Sequence, residues 1–249
     1  MPKEHAKTND LNYWLSYINS VHSSEIELGL DRVKAVASEM RLGKIARKIV
    51  IVAGTNGKGS CIATMESILS KSGYMVGTYT SPHIKNFSER IKINNEELDD
   101  KTLCDAFAVV NKARKNRTLS YFEFATLAAF FIFTQRKLDF ALLEVGLGGR
   151  LDAVNIIDAD VTIISSIAMD HQDWLGDDLE SIGREKSGIL RYGVPLIYGD
   201  KEPIDAIIEK AEILNAPVYL AGREVNWRKD EKRSRWKWVG IRGNEQVEI

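Results

Sequence analysis

The chain has 249 residues, 44% of them hydrophobic and 28% charged, with a net charge of −1 and a pI near 6.5. That length supplies one large or two small domains with a sizeable core, and the charge balance leaves no electrostatic footprint for nucleic acid. Cys61 and Cys104 belong to no CxxC pair, which argues against a disulfide or zinc framework and for reduced thiols.

The opening MPKEHAKTND is polar and lacks the apolar core of a signal peptide, so the cytoplasm is the expected location. Leu11, Trp14, Leu15 and Ile18 recur at helical spacing and predict a helix over 11–20. A loop runs from His22 to Gly29. A second amphipathic helix is expected over 30–42, with Gly43 as its C-cap. Ile49–Ala53 reads as a buried strand, 60–72 as a helix stopped by Gly73, and 75–80 as a short strand. Helices are expected over 99–115 and 122–136. The second contains the most apolar run, 124–133, which is about half the length that spans a bilayer and reads as a buried helix. Strands follow at 140–145 and 161–167, then a helix at 179–190, a strand at 194–198, a helix at 204–214 and a strand at 218–220. Arg228 to Arg235 is charged but mixed in sign. Even with Trp236 and Trp238 beside it, a solvated hairpin is the expectation, not a nucleic-acid surface. Strands alternating with helices, several of them apolar throughout, predict an α/β fold with a mostly parallel sheet covered on both faces.

Ligands of open α/β sheets bind beyond the carboxyl ends of the strands. Here those ends carry GTNGKGS (54–60), TSPH (80–83), EVGLGG (144–149) running into Arg150-Leu151-Asp152, and Asp170-His171. GTNGKGS follows a strand and opens a helix, as a phosphate loop does. Yet only two residues separate Gly54 from Gly57, and Gly59 intrudes between Lys58 and Ser60, so it departs from the common P-loop spacing. Its backbone N–H groups and the helix N-terminus favour an anion. Lys58 has the reach for β and γ phosphates, and Ser60 offers a hydroxyl. Glu144 is either a cap or ion-pair partner, or a ligand for Mg²⁺ beside the phosphates. Taken alone, His171 reads as a core or surface histidine, Asp170 and Asp173 as loop caps, and Lys186 as a solvated helix lysine.

The glycine loop with its extra Gly59 resembles that of the Mur-ligase superfamily. More narrowly, the chain resembles the bifunctional dihydrofolate synthase/folylpolyglutamate synthase family of bacteria. The blocks that carry the likeness are His22-Ser23 with Glu27-Leu-Gly-Leu30, GTNGKGS, Thr80-Ser-Pro-His83 with Ser88-Glu-Arg-Ile91, Tyr121-Phe-Glu123, Leu143 through Asp152, Asp170-His171 with Trp174-Leu-Gly176, and Glu185-Lys-Ser-Gly-Ile189. They run in family order from about residue 11 to 190 and together are highly specific.

The resemblance implies a P-loop NTPase-like ATP-binding domain over 1–249, incomplete at its C-terminal end and without the C-terminal ligase domain. It implies that Gly57, Lys58, Gly59 and Ser60 bind ATP. It further implies that two Mg²⁺ ions rest on Ser81, Glu144, His171 and Lys186, the lysine carrying CO₂ as an N6-carboxylysine. Dihydropteroate would be held by Glu27, Leu28 and Gly29, by Ser120, Tyr121, Phe122 and Glu123, and by Leu151, Asp152 and Ala153. Lys58, His171 and Lys186 would serve catalysis. The implied activity is ATP-dependent joining of L-glutamate to dihydropteroate and to folates through an acyl phosphate, by a monomer with no nucleic-acid or membrane partner. A monofunctional folylpolyglutamate synthase and a non-enzymatic nucleotide- or pterin-binding remnant are the alternatives; peptidoglycan ligases are a distant third. The sequence departs from the family at Ser187, where alanine is usual, and at Val154, where threonine is usual.

Overall fold

The computed structural model describes residues 9–22, 27–230, 235–242 and 245–248. Helices α1 (Leu11–Ser20) and α2 (Asp31–Met40) lead into strand β1 (Lys48–Ala53) and helix α3 (Lys58–Lys71). Strand β2 (Val76–Tyr79) is followed by a hairpin of β3 (Ile91–Ile93) and β4 (Glu96–Glu97). Two long helices come next, α4 (Asp100–Arg114) and α5 (Tyr121–Thr134). Strand β5 (Phe140–Glu144), strand β6 (Val161–Ile164), and helices α6 (Gln172–Leu175) and α7 (Leu179–Lys186) follow. Strand β7 (Leu196–Tyr198), helix α8 (Asp205–Ile213) and strand β8 (Val218–Leu220) complete the α/β unit. Strands β9 (Asn226–Asp230), β10 (Arg235–Arg242) and β11 (Glu245–Glu248) form a separate antiparallel sheet in the order β11-β10-β9.

The main sheet has eight strands in the order β4-β3-β2-β5-β1-β6-β7-β8. β2, β5, β1, β6, β7 and β8 run parallel, while at the edge β3 pairs antiparallel with β2 and β4 antiparallel with β3. The mostly parallel α/β expectation is met. β1 lies between β5 and β6, so the loops after three adjacent strands open on the same end of the sheet. The register sets Glu144 level with Val52 and Ile164 level with Ala53. Tyr79 stands level with Leu143, which brings the segment that follows it within reach of Glu144.

The two faces of the sheet are covered unequally. One large apolar cluster joins Ile49, Ile51 and Ala53 of β1 and Ala141 and Leu143 of β5 to Trp14, Phe107, Phe124 and Phe130 of the helices. The other face carries a small cluster in which Ile62 of α3 meets Val50, Val52, Val76, Leu142 and Ile163. α5 is apolar on every side, and its residues 123–130 are all buried. Such a helix owes its place to burial, at about 1.5–3 kcal/mol for each large side chain, more than to helical propensity. It is the buried helix expected from the apolar run 124–133. Among the described residues, no helix is long and apolar enough to cross a membrane.

Several boundaries differ from expectation for identifiable reasons. α2 ends earlier, and its cap is Arg41 in the left-handed region (φ 51°), not Gly43. The Arg41 N–H bonds the carbonyls of Ala37 and Ser38, closing the helix before the glycine is reached. α3 starts at Lys58, with Gly57 at φ 83° before it. The segment expected to be helical to residue 190 tightens into a 3₁₀ turn at Ser187–Ile189. β6 stops at Ile164, which leaves 165–171 as a loop before α6. The β3–β4 hairpin was not foreseen. Its turn residues Asn94 and Asn95 both have positive φ, at 51° and 66°, as a type I′ hairpin requires. The expected hairpin near the end exists as β9 paired with β10; residues 231–234 between them lie outside the described residues, as do residues 23–26 of the loop before α2.

Candidate active site

The loop 54–60 is fastened to the end of β6. Thr55 N–H donates to Ser166 O at 2.7 Å, and the Ser165 hydroxyl donates to Asn56 O at 2.7 Å. Gly54 has φ 141°, and a Cβ there would stand 2.0 Å from Ser165 Oγ. No other residue fits that contact. Gly57 carries the chain through φ 83° into α3. Lys58 Nζ folds back to donate to Gly54 O at 3.0 Å and Thr55 O at 3.2 Å. Lys186 Nζ, from the end of α7, donates to the same Gly54 O at 3.0 Å. Two lysines 128 positions apart in sequence thus converge on one carbonyl.

Lys186 is buried, not solvated as its sequence context suggests, with 4% of its surface exposed. Burial, and then the Lys58 charge, lower its pKa to about 8, against the opposing pull of Asp170 and Asp152. Its position is set by backbone contact. A Cβ on Gly149 would lie 2.9 Å from the carbonyls of Glu185 and Lys186, and one on Gly188 would lie 2.3 Å from Arg150 Cβ. The glycines of Gly-Leu-Gly-Gly-Arg and Lys-Ser-Gly therefore let two chain segments pack main chain to main chain. Arg150 adds bonds from Nε (3.1 Å) and Nη2 (2.8 Å) to Glu185 Oε1.

Glu144 ends β5 and is buried. It accepts Ser81 N–H at 3.0 Å. Its oxygens lie 3.9 and 4.0 Å from where a Cβ on Gly59 would be, directly over the start of α3. Burial raises its pKa, while the Ser81 N–H, Lys58 and Arg90 pull it back. It is therefore not a helix cap but a carboxylate facing the glycine loop. His171 sits in the left-handed region (φ 49°) before α6, with half its side chain exposed and Asp170 Oδ2 at 3.6 Å from Nε2. Among the described residues, no group of three or more His, Cys, Asp or Glu stands together to hold a metal ion.

Beside the loop lies a cavity of about 470 Å³. Its walls include Glu27, Leu28, Ser120, Tyr121, Phe122, Glu123, Leu151, Asp152 and Ala153, together with Ser81 and His171. Nine of the ten residues expected to form a substrate site are brought together there; Gly29 is not on the wall. The Phe122 ring covers Gly146, where a Cβ would come within 2.7 Å of it, and tilts at 34° against Tyr79 with centroids 5.8 Å apart.

Asp152 accepts N–H bonds from Gly146, Leu147 and Val154, each at 2.9 Å, and burial still lifts its pKa to about 6. Glu123 and Ser120 form a reciprocal capping box on α5. Arg90, Asn19 and Pro82 also line the cavity and went unassigned from sequence. Arg90 stood within a recognisable block, but nothing in one sequence reveals that its guanidinium stacks on Tyr121 and Phe87, at 5.4 and 5.8 Å from the ring centres.

Residues 52–237 match the Mur ligase middle domain. The dihydrofolate synthase/folylpolyglutamate synthase of Escherichia coli K12 is 48% identical over 214 residues, or 86% of this chain and 51% of that protein. The structure of E. coli FolC in complex with DHPP and ADP superposes with a TM-score of 0.90 at 44% identity, covering 95% of this chain and 56% of that one. A bifunctional folylpolyglutamate synthase/dihydrofolate synthase with Mn, AMPPNP and L-glutamate bound gives a TM-score of 0.87 at 44% identity, covering 97% and 58%. The chain spans about half the length of the curated relatives it matches. With the glycine loop, the buried carboxylate above it and a family match over three quarters of its residues, the chain belongs to the Mur ligase family and carries its middle domain.

Proposed function

We propose that this chain forms the nucleotide- and pterin-binding part of an ATP-dependent ligase that joins L-glutamate to dihydropteroate and extends folates with further glutamates. The observation that carries this reading is the junction of the two halves of the site. Ser81 and His171 border the cavity, while Ser81 N–H also bonds Glu144, the carboxylate over the loop. A carboxylate substrate lying in the cavity would thus present its acid toward nucleotide phosphates on the loop.

The loop amides of Gly57, Gly59 and Ser60 and the N-terminus of α3 bind phosphate oxygens. Lys58 leaves the Gly54 carbonyl to meet the β and γ phosphates, so positioning and charge neutralisation drive phosphoryl transfer. The substrate carboxylate attacks the γ-phosphorus, ADP leaves, and the glutamate amine displaces phosphate from the acyl phosphate to form the amide. Phe122 offers an aromatic face to the pterin ring, and Asp152 and the 120–123 turn offer polar groups to its edge.

The donor set suits a hard divalent cation. Glu144 is a buried carboxylate with one N–H partner, and burial raises its pKa despite the nearby Lys58 and Arg90 charges. Glu144 and Ser81 would hold one Mg²⁺; neutral His171 and Lys186, carrying CO₂ as a carbamate, would hold a second. Burial of Lys186 beside Lys58 favours the neutral amine that takes up CO₂. Such ions supply Lewis-acid stabilisation of charge on phosphoryl and acyl oxygens. We place the protein in the cytoplasm, acting as a monomer.

The test is product formation by the chain with Mg-ATP, bicarbonate, dihydropteroate and L-glutamate, read by mass as dihydrofolate with ADP. Product confirms the ligase. Binding of dihydropteroate and ATP without product marks a half-site that needs the remaining part of a full-length relative. Absence of all binding refutes the reading.

A further inference from the structure

Arg32 stands outside every block that the ligase reading uses, yet it joins two walls of the cavity. It lies in the first turn of α2. Its Nη2 donates at once to the main-chain oxygen of Glu27 (3.0 Å) and to Glu123 Oε1 (2.9 Å), 91 residues away in sequence. Its Nη1 meets the Glu27 carboxylate. The other oxygen of Glu123 accepts Ser120 N–H at 2.7 Å, and the other oxygen of Glu27 meets His22 Nε2 at 2.6 Å. A continuous chain of bonds therefore runs from the 27–28 wall through one guanidinium to the 120–123 wall.

The cost of the arrangement is visible. Arg32 Nε is buried without a hydrogen-bond partner, a loss worth avoiding unless the terminal nitrogens must be where they are. A planar fork can reach a carbonyl and two carboxylates together; a lysine's single nitrogen cannot hold the same three with that geometry.

We propose that Arg32 is a positioning residue that fixes the 27–28 loop against the N-terminus of α5 and so sets the width of the substrate cavity. It touches no reacting group. The inference rests on the ligase reading, in that the cavity is taken to bind the pterin.

The test is dihydropteroate affinity by titration calorimetry, with ADP affinity and thermal melting measured on the same samples, for wild type, Arg32→Lys, Arg32→Met and Glu123→Gln. Gln keeps the capping box on α5 but removes the charge that Arg32 holds. Loss of a charge-assisted bridge predicts pterin binding weaker by about 10- to 100-fold in Arg32→Met. Arg32→Lys should recover part of it, and ADP affinity should stay within about twofold because the loop 54–60 makes no contact with this bridge. In Arg32→Met/Glu123→Gln the two losses should be clearly less than additive. Wild-type pterin affinity in Arg32→Met overturns the positioning role. Parallel loss of pterin and ADP affinity with a lowered melting temperature also overturns it, since Arg32 would then only hold the fold. Failure of the wild-type chain to bind dihydropteroate would instead sink the ligase reading, and with it this inference.

Discussion

At the loop end of the site, Lys58 and Lys186 donate to the carbonyl of Gly54, and among the described residues neither is paired with a carboxylate. At the cavity end, Arg32 is braced between Glu27 and Glu123, and Asp152 accepts three backbone N–H bonds. The first region holds positive charge on weak, neutral acceptors that an anion can displace. The second holds Arg32 between two carboxylates and Asp152 on backbone N–H groups, and presents a finished shape with an aromatic wall. The difference matches the two ligands proposed above: a polyanion whose charge completes the loop, and a flat ring held by fit and by polar groups at its edge.

Four expected outcomes probe that contrast, from the largest effect to the smallest. Lys58→Ala removes the cation meant for transferring phosphate. ADP release should fall by about 10²- to 10³-fold, the range for loss of one preorganised donor, while pterin affinity by calorimetry stays near wild type. Equal loss at both would erase the distinction.

Asp152 tests the cost of burial at the cavity end. Its pKa is near 6 folded against 3.8 in the open chain, so the folded state binds the extra proton. The associated stability is fully present below pH 3.8 and is lost as pH rises through 6, by about 3 kcal/mol at the upper bound for so buried a group. Glu89 has the opposite sign. Three backbone N–H groups, from Ile84, Asn86 and Lys85, hold it at about 2, so its contribution is present above pH 4.5 and is lost as pH falls through 2. Denaturant titrations of Asp152→Asn against wild type between pH 4 and 7 should show a flatter loss of stability with rising pH in the variant. Identical slopes would remove Asp152 from the account.

Phe122→Ala strips the aromatic wall. Pterin binding should weaken by about 1–2 kcal/mol, roughly 5- to 30-fold in Kd, with ADP affinity unmoved. Arg150→Gln, last, breaks a pair whose arginine is 56% exposed, so thermal stability should drop by under about 1 kcal/mol. A larger drop would mean that the pair, and not the glycine contacts, seats Lys186.

Much of the architecture was legible because it is written in local pattern. The buried strands read as unbroken apolar runs, and α1 and β8 lie where the spacing puts them. The four chemistry-bearing loops follow β1, β2, β5 and β6, as the carboxyl-end rule demands. The two departures from the family also sit easily. The Ser187 hydroxyl donates to Arg184 O at 2.9 Å, and Val154 is buried in the apolar cluster. What escaped was either short or long-range. β3 and β4 are brief and rich in charge, and their Asn94-Asn95 signal was present but unused. Arg32 and Arg90 act across 91 residues or through ring stacking, which no spacing encodes. Arg41 caps α2 because the left-handed turn closes there first, two residues before the glycine that pattern favours.

The shared carbonyl of Gly54 also bears on how fast each ligand arrives. The Lys58 ammonium, resting on that neutral oxygen, projects its field outward from the loop mouth. Nucleotide association should be accelerated by that field, and slowed as added salt shortens the distance over which it is felt, about 10 Å at 0.1 M ionic strength. At the cavity end Arg32 is closed on Glu27 and Glu123 and adds little guidance of that kind. Its ligand should meet it at a rate nearly indifferent to salt, so that at high ionic strength the order of arrival of the two ligands tilts toward the ring.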